Sequence, residues 1–299
     1  MKKMYFMCMV LFISLSTTMW TACSDDDDPQ KDPTEEPTQP GDSTTVTTPT
    51  HDTTFLVTKI VCENVKNPDL GYNNTYTFTR DEDSNQIISI KGEINMSGEG
   101  QTIEYTITYT ESEVRAVYMD ESLGEEMAYV YTLDDQGRVT YAKKIYTSDE
   151  YAEAEYSFTY EGENLKTITD AVYEENVFAG EYTDGNLSGV SLEAMLYDPT
   201  PIPCKASDLK NNDDMDLNIL TIGNMLGIDN TVAFANYLGL IPVTPNLIAN
   251  FDFSALGEGE MSINYEKAEN GSIESITLED FADITLTTEM EVTEIEAAE

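Results

Sequence analysis

The sequence predicts a mainly β protein: a curved antiparallel β-meander or partial barrel built of hairpin repeats, with two short helices inserted near residues 216–240. Three observations carry this. Aromatic or branched residues recur at every second position, as in Tyr76-Thr77-Phe78-Thr79, Tyr105-Thr106-Ile107-Thr108-Tyr109, Tyr129-Val130-Tyr131, Tyr156-Ser157-Phe158-Thr159-Tyr160 and Ile263-Asn264-Tyr265. Period-two alternation places the apolar set on one sheet face and Thr, Ser or Asn on the other. Turn chemistry follows several of these runs, at Gln136-Gly137, Gly162-Glu163-Asn164, Asp184-Gly185 and Asn270-Gly271, where Gly and Asn tolerate the positive φ of tight hairpins. After the turns stand apolar pairs three residues apart: Ile87/Ile90, Val114/Val117, Leu165/Ile168, Leu187/Val190 and Ile273/Ile276. Val139 takes the same place without a clear apolar partner. The starts at 87, 114, 139, 165 and 187 are 27, 25, 26 and 22 residues apart, a regularity expected of stacked supersecondary units.

The elements follow in chain order. Residues 1–22 have the layout of a secretory signal: Lys2 and Lys3, an apolar run from Met4 to Ile13, then a weakly polar stretch. The apolar run is about half the roughly 20 residues a spanning helix needs. Thr21-Ala22-Cys23 resembles a bacterial lipobox, with Trp20 where that pattern usually has leucine; the resemblance implies lipidation of Cys23. Ser24 followed by Asp25 to Asp28 resembles the acidic surface-export signal of Bacteroidetes lipoproteins. Residues 23–54 form an acidic, Pro/Thr-rich tether with almost nothing apolar to bury, and so an extended spacer. It holds His51, the only histidine of the chain.

Residues 55–285 are assigned to the hairpin-repeat domain and 286–299 to an acidic tail. Pro199, Pro201 and Pro203 break strand character within an interruption from about Asp198 to Asn250. There, Asp216-Leu217-Asn218-Ile219-Leu220 begins one helix that Gly227 ends, and Asn230 caps a second that Gly239 ends. Such helices would cover the apolar face or open end of the sheet.

Together, the lipoprotein start, the aromatic hairpins and the segment from Asp216-Leu217-Asn218 to Tyr237-Leu238-Gly239-Leu240 resemble a Bacteroidetes outer-membrane lipoprotein family. That family carries a domain of unknown function with a porin-like fold and hairpins like YD/RHS repeats. The resemblance spans about Phe55 to Asp283 and implies a curved sheet or partial barrel, but no activity. It does not imply a pore, because about a dozen acids fall in or beside the hairpins where a lipid-facing wall is apolar.

Composition excludes several functions. The net charge is -42, and Arg80, Arg115 and Arg138 are the only arginines. Nucleic-acid binding needs cations that displace counterions, and a chain this acidic is repelled by phosphate. Without a histidine beyond the tether, a Ser or Cys nucleophile lacks its usual base. A carboxylate pair suited to glycan cleavage, such as Glu153 with Glu155 or Glu161 with Glu163, is weighed against solvated strand and turn faces, which fit better. Asp81 to Asn85 and the acids Asp213, Asp214 and Asp216 are oxygen-rich enough to suggest structural calcium, though neither has EF-hand spacing. No other cofactor is expected. Cys62 and Cys204 form an even pair that a disulfide would suit in an oxidising compartment.

The expectation is therefore a surface-exposed outer-membrane lipoprotein, held to the membrane by its lipid. It would act as a binding or structural module for a glycan, an envelope protein or a host molecule. A carboxylate-based glycan-degrading enzyme and a carrier of an apolar ligand stay open as alternatives.

Overall fold

The computed structural model describes residues 55–64, 73–96, 99–121, 124–147, 152–196, 199–226, 229–257, 259–281 and 284–295. The signal, Cys23, the tether and His51 lie outside them. Sixteen strands follow one another around a closed antiparallel barrel: β1 Phe55–Asn64, β2 Asn73–Arg80, β3 Ile87–Met96, β4 Glu99–Tyr109, β5 Glu113–Asp120, β6 Glu125–Leu133, β7 Val139–Tyr146, β8 Ala152–Glu161, β9 Asn164–Asp170, β10 Glu175–Thr183, β11 Asn186–Ser191, β12 Ile202–Lys210, β13 Asn246–Asp252, β14 Glu260–Lys267, β15 Ile273–Phe281 and β16 Ile284–Glu294. The expected partial barrel is thus a complete one. Closure is made by β1 against β16, from Phe55 opposite Glu294 to Asn64 opposite Leu286. Most of the stretch assigned to an acidic tail is therefore wall. Glu289 and Glu291 face water while Thr288 and Met290, alternating with them, are buried. Closing the sheet on itself removes the unpaired edges an open meander would expose. The chain from Thr45 to Glu299 forms one compact unit around this barrel.

The three-residue spacing after each turn has a physical cause. Phe78 pairs with Ile90 and Arg80 with Ile87, so β3 carries one extra residue, Ile88. The same single-residue bulge recurs at Thr140 in β7, Lys166 in β9, Ser188 in β11 and Glu274 in β15. An extra residue restores the inward face after three positions rather than two, and it sharpens the bend. Ala142 is the inward partner of Val139, too small to register as an apolar signal. Val114/Val117 is the exception: β5 has no bulge against β4, and Val117 points outward.

Three of these five bulges also meet a tyrosine. The hydroxyls of Tyr109, Tyr160, Tyr182 and Tyr265 donate to the carbonyls of Ile87, Val139, Leu165 and Ile248 at 2.9, 2.7, 2.8 and 2.8 Å. The first three acceptors begin the bulges just described. Ile248 sits at a further register shift, in β13 against β12. A bulge takes backbone groups out of the ladder, and a buried carbonyl needs a donor. The final tyrosine of one hairpin supplies it to the preceding hairpin, which explains why Tyr precedes the turn in repeat after repeat. At the turns, Asp184 and Gly185 both have positive φ, at 51° and 78°, as a two-residue type I′ hairpin requires.

Among the described residues, three short α-helices complete the fold: α1 Glu193–Leu196, α2 Leu217–Leu226 and α3 Asn230–Tyr237. The last two lie between β12 and β13 in chain order, near the predicted residues. The cap of α3 is Asp229 rather than Asn230; its carboxylate accepts from the Thr231 N–H at 2.8 Å. The prolines do not exclude a strand: β12 begins at Ile202 and includes Pro203 opposite Gly189. Only two residue pairs join β12 to β11, and Pro203 is exposed near the strand start, where a missing N–H is tolerated.

The helices fill the barrel. Phe234 of α3 is fully buried, with its ring 4.6 Å from Tyr105, 5.3 Å from Tyr129, 5.6 Å from Tyr237 and 6.0 Å from Tyr76. The Tyr131 hydroxyl donates to the Thr231 carbonyl at 3.0 Å, fixing β6 to α3. Inner faces of the strands and both helices thus belong to one apolar core.

The outer wall is the reverse. Thr102, Glu104, Thr106 and Thr108 on β4, Lys91 and Glu93 on β3, and Ser262, Asn264 and Glu266 on β14 are exposed. Among the described residues, the large apolar side chains left exposed are Ile88, Met119, Val172 and Tyr173. One small outward cluster, Ala128, Val130 and Ile145 with Val117, crosses three strands. A membrane-spanning barrel presents an apolar band about 25 Å tall all the way round. This wall has none.

Candidate functional site

The acids singled out in the sequence are put to structural use. Asp216 is fully buried at the start of α2. Its Oδ1 accepts from the N–H of Asn218 at 2.7 Å and of Ile219 at 3.1 Å, and its Oδ2 from the N–H of Thr244 at 2.7 Å. It is a helix cap that also ties the plug to the segment leading into β13. Asp214 pairs with Arg80 and accepts from the Val57 N–H at 2.9 Å. Arg80 in turn donates to the carbonyls of Val57 and Asn85 at 3.0 and 2.8 Å.

Asp213 is different: it is buried, its Oδ1 has no protein partner, and burial with Asp214 nearby pushes its pKa up to about 7. The three carboxylates do not converge, and among the described residues no group of three acids, cysteines or histidines is placed to hold a metal. Asp81 to Asn85 close on themselves, with Asp81 Oδ1 accepting from the N–H of Asp83 and from both the N–H and hydroxyl of Ser84. Of the paired glutamates, Glu155 accepts from the Tyr141 hydroxyl at 2.5 Å, whereas Glu161 and Glu163 are exposed at the β8–β9 turn.

Cys62 and Cys204 are free thiols. Four strands, β13 to β16, separate β1 from β12, far beyond the Cα separation of about 7 Å that a bridge tolerates. Burial raises both pKa values, that of Cys62 to about 11 and that of Cys204 to about 12.

Cavities lie beside the plug at opposite ends of the barrel, two of them lined by described residues as follows. One, of about 220 Å³, lies near the ends of β2 and β16 and the start of β3, bordered by Arg80, Tyr109, Asp214 and the Leu238–Val243 segment. Its one cation is already neutralised by Asp214. The other, of about 140 Å³, lies between the two helices and the wall of β1, β2 and β16. Cys62, Asn74, Tyr76, Asn224, Ala233 and Thr288 are among its lining residues. Tyr237 borders both cavities, packed on Tyr76 and Phe78 at ring distances of 5.3 and 5.6 Å, and stands between them. No motif in the sequence marked this second cavity, because its lining comes from strands and helices up to 226 residues apart, as Cys62 and Thr288 are.

The fold has a counterpart among solved structures. A porin-like protein from Bacteroides uniformis ATCC 8492 superposes with a TM-score of 0.54 at 17% identity, covering 79% of this chain and 96% of its own. The fold is porin-like. No family model matches the chain, and no curated protein matches it in sequence. At this identity the likeness concerns the fold alone.

Proposed function

We propose that this chain is an outer-membrane lipoprotein whose barrel stands in water outside the cell and acts as a binding module, without catalysis. The lipid on Cys23 is its attachment and residues 23–54 its spacer. One observation carries the reading: the porin-like barrel is turned inside out in polarity, with a charged and Thr-rich outer wall and an interior filled by aromatic side chains and two helices. A barrel of that kind gains nothing from lipid, so the chain needs a separate anchor to stay at a membrane, and Cys23 would provide it. Its net charge of -42 fits display at a surface, where like charge limits non-specific adhesion. Asp216, Asp214 and Asp81 are occupied as a helix cap, an ion pair and a turn closure.

Fractionation and protease shaving of intact cells test this. Wild-type protein should stay with the membrane and be cleaved by external protease, and Cys23→Ala protein should be recovered without detergent. Cys23→Ala protein retained in the membrane at the wild-type level would overturn the anchoring, and protection from shaving would place the barrel inward.

A further inference from the structure

β1 carries a bulge of its own at Thr58, between Val57 opposite Val292 and Lys59 opposite Glu291. Asp214 and Arg80 serve it where a tyrosine serves others. The Val57 N–H donates to Asp214 Oδ1 at 2.9 Å, and the Val57 carbonyl accepts from Arg80 at 3.0 Å. Beside these bonds, the segment that leads from β12 to the plug runs parallel to the start of β1. The Phe55 N–H donates to the Asn212 carbonyl at 3.2 Å, and the Asp214 N–H to the Phe55 carbonyl at 3.1 Å. Together the contacts form a clasp between plug and wall, next to the point where the tether ends. Asp213 stands at its centre, bridged to Phe55, with a buried side chain whose Oδ1 is closed to solvent and unmatched. Leu56, Arg80 and Asp214 also border the 220 Å³ cavity, so the clasp is part of its rim.

Among the described residues, the charged and titratable groups around the clasp leave Asp213 no counter-ion. Its own segment adds two more acids, Asp214 and Asp216, and β16 brings Glu294, exposed opposite Phe55. β2 brings Arg80, which Asp214 holds, and β4 brings Tyr109, whose hydroxyl is given to the Ile87 carbonyl. Lys59 of β1 is bound to Glu291, and Lys210 at the end of β12 to Asn246. We propose that Asp213 makes the clasp a proton-operated catch: with its proton, residues 212–214 stay bound to β1; without it, they come away and open the cavity rim, while Asp216 keeps the helices in place. An ionised carboxylate with no donor, closed to solvent and beside a second carboxylate, is strongly disfavoured, and release into water removes that cost. Burial and Asp214 raise the folded pKa from 3.8 to about 7. The catch is therefore firmest below about pH 4, loosens as pH rises to about 7, and changes little beyond. It does not depend on what the barrel binds, so the catch and the binding-module reading can fail separately.

The test is hydrogen exchange of the full chain, read amide by amide by NMR, with each rate divided by its unstructured rate at the same pH. The Phe55, Val57 and Asp214 amides report the clasp. Their opening constant should rise by up to about tenfold per pH unit between about pH 5 and pH 7, then level off, as release of one proton requires. The Asn218 and Thr244 amides, held by Asp216, and the Ala116 and Tyr129 amides of the β5–β6 ladder should show no such rise. Asp213→Asn, which cannot ionise, should keep the clasp closed and its profile flat. A flat wild-type profile would overturn the proposal, as would the same slope in Asp213→Asn. Clasp amides that open together with those of Asn218 and Thr244 would also overturn it, since the whole plug would then be leaving. Should Asp213→Asn fail to fold, Asp213→Ser, equally unable to ionise, takes its place, and the wild-type profile must still level off near pH 7.

Discussion

Replacing Phe234 by alanine removes the ring on which plug and wall converge. Phe234 is fully buried and touches rings on β2, β4 and β6 as well as Tyr237 on its own helix. Burial of an aromatic side chain removes about 150–250 Å² from water. At roughly 25 cal/mol per Å² of apolar surface, that corresponds to about 4–6 kcal/mol of transfer free energy. The alanine methyl retains part of it, and core Phe→Ala changes typically lose about 3–5 kcal/mol. Because the ring belongs to the same core as the strands, the loss should lower one shared transition rather than free the helices alone. Urea unfolding of the Thr45–Glu299 unit, followed by tyrosine fluorescence and far-ultraviolet circular dichroism, measures both features. Phe234→Leu should lose under about 1.5 kcal/mol as a closer match in volume. A loss below about 1 kcal/mol for Phe234→Ala, or a helix transition separate from the barrel, would refute a plug integral to the core.

Three further outcomes follow from named contacts. Asp213 has a folded pKa raised to about 7 from 3.8, so its favourable contribution is complete below about pH 4 and is lost as pH rises to about 7. Wild type should lose up to about 4 kcal/mol over that range relative to Asp213→Asn, at 1.36 kcal/mol per pKa unit; a constant difference between the two in urea titrations across pH would contradict it. Asp216→Ala leaves the N–H groups of Asn218, Ile219 and Thr244 without their acceptor and should cost at least about 3 kcal/mol in the same assay, with loss of helix signal. Tyr160→Phe removes only the hydroxyl that reaches the Val139 carbonyl at its bulge and should cost about 1 kcal/mol, with hydrogen exchange at the β7 bulge quickened; an unchanged midpoint would mean the carbonyl does not need that donor.

Much of the wall was legible because each hairpin repeats one local solution. The starts read from sequence at 87, 139, 165 and 187 are the inward residues that open β3, β7, β9 and β11, and the spacing to the next inward residue records a bulge. The helices were legible from their apolar periodicity, though Asp229 competed with Asn230 for the cap and won through its bond to Thr231. Closure was not legible, since it depends on Phe55 finding Glu294 across the whole chain, a pairing no local pattern encodes. β16 was hidden because Thr and Glu occupy its outer face and Thr288 part of its inner one, which blurs the alternation. β12 was hidden by prolines that a two-pair contact with β11 tolerates. The cavity was the least legible feature. Cys62, Asn74 and Thr288 read as ordinary strand residues until the closed barrel brings them beside the helices.

The most direct test of a barrel with its core inside and water outside is sedimentation of the Thr45–Glu299 unit without detergent, paired with conductance across lipid bilayers to which it is added. A polar outer wall and a filled interior predict a single monodisperse species and no conductance. Aggregation reversed only by detergent, or stepwise channel openings, would contradict it.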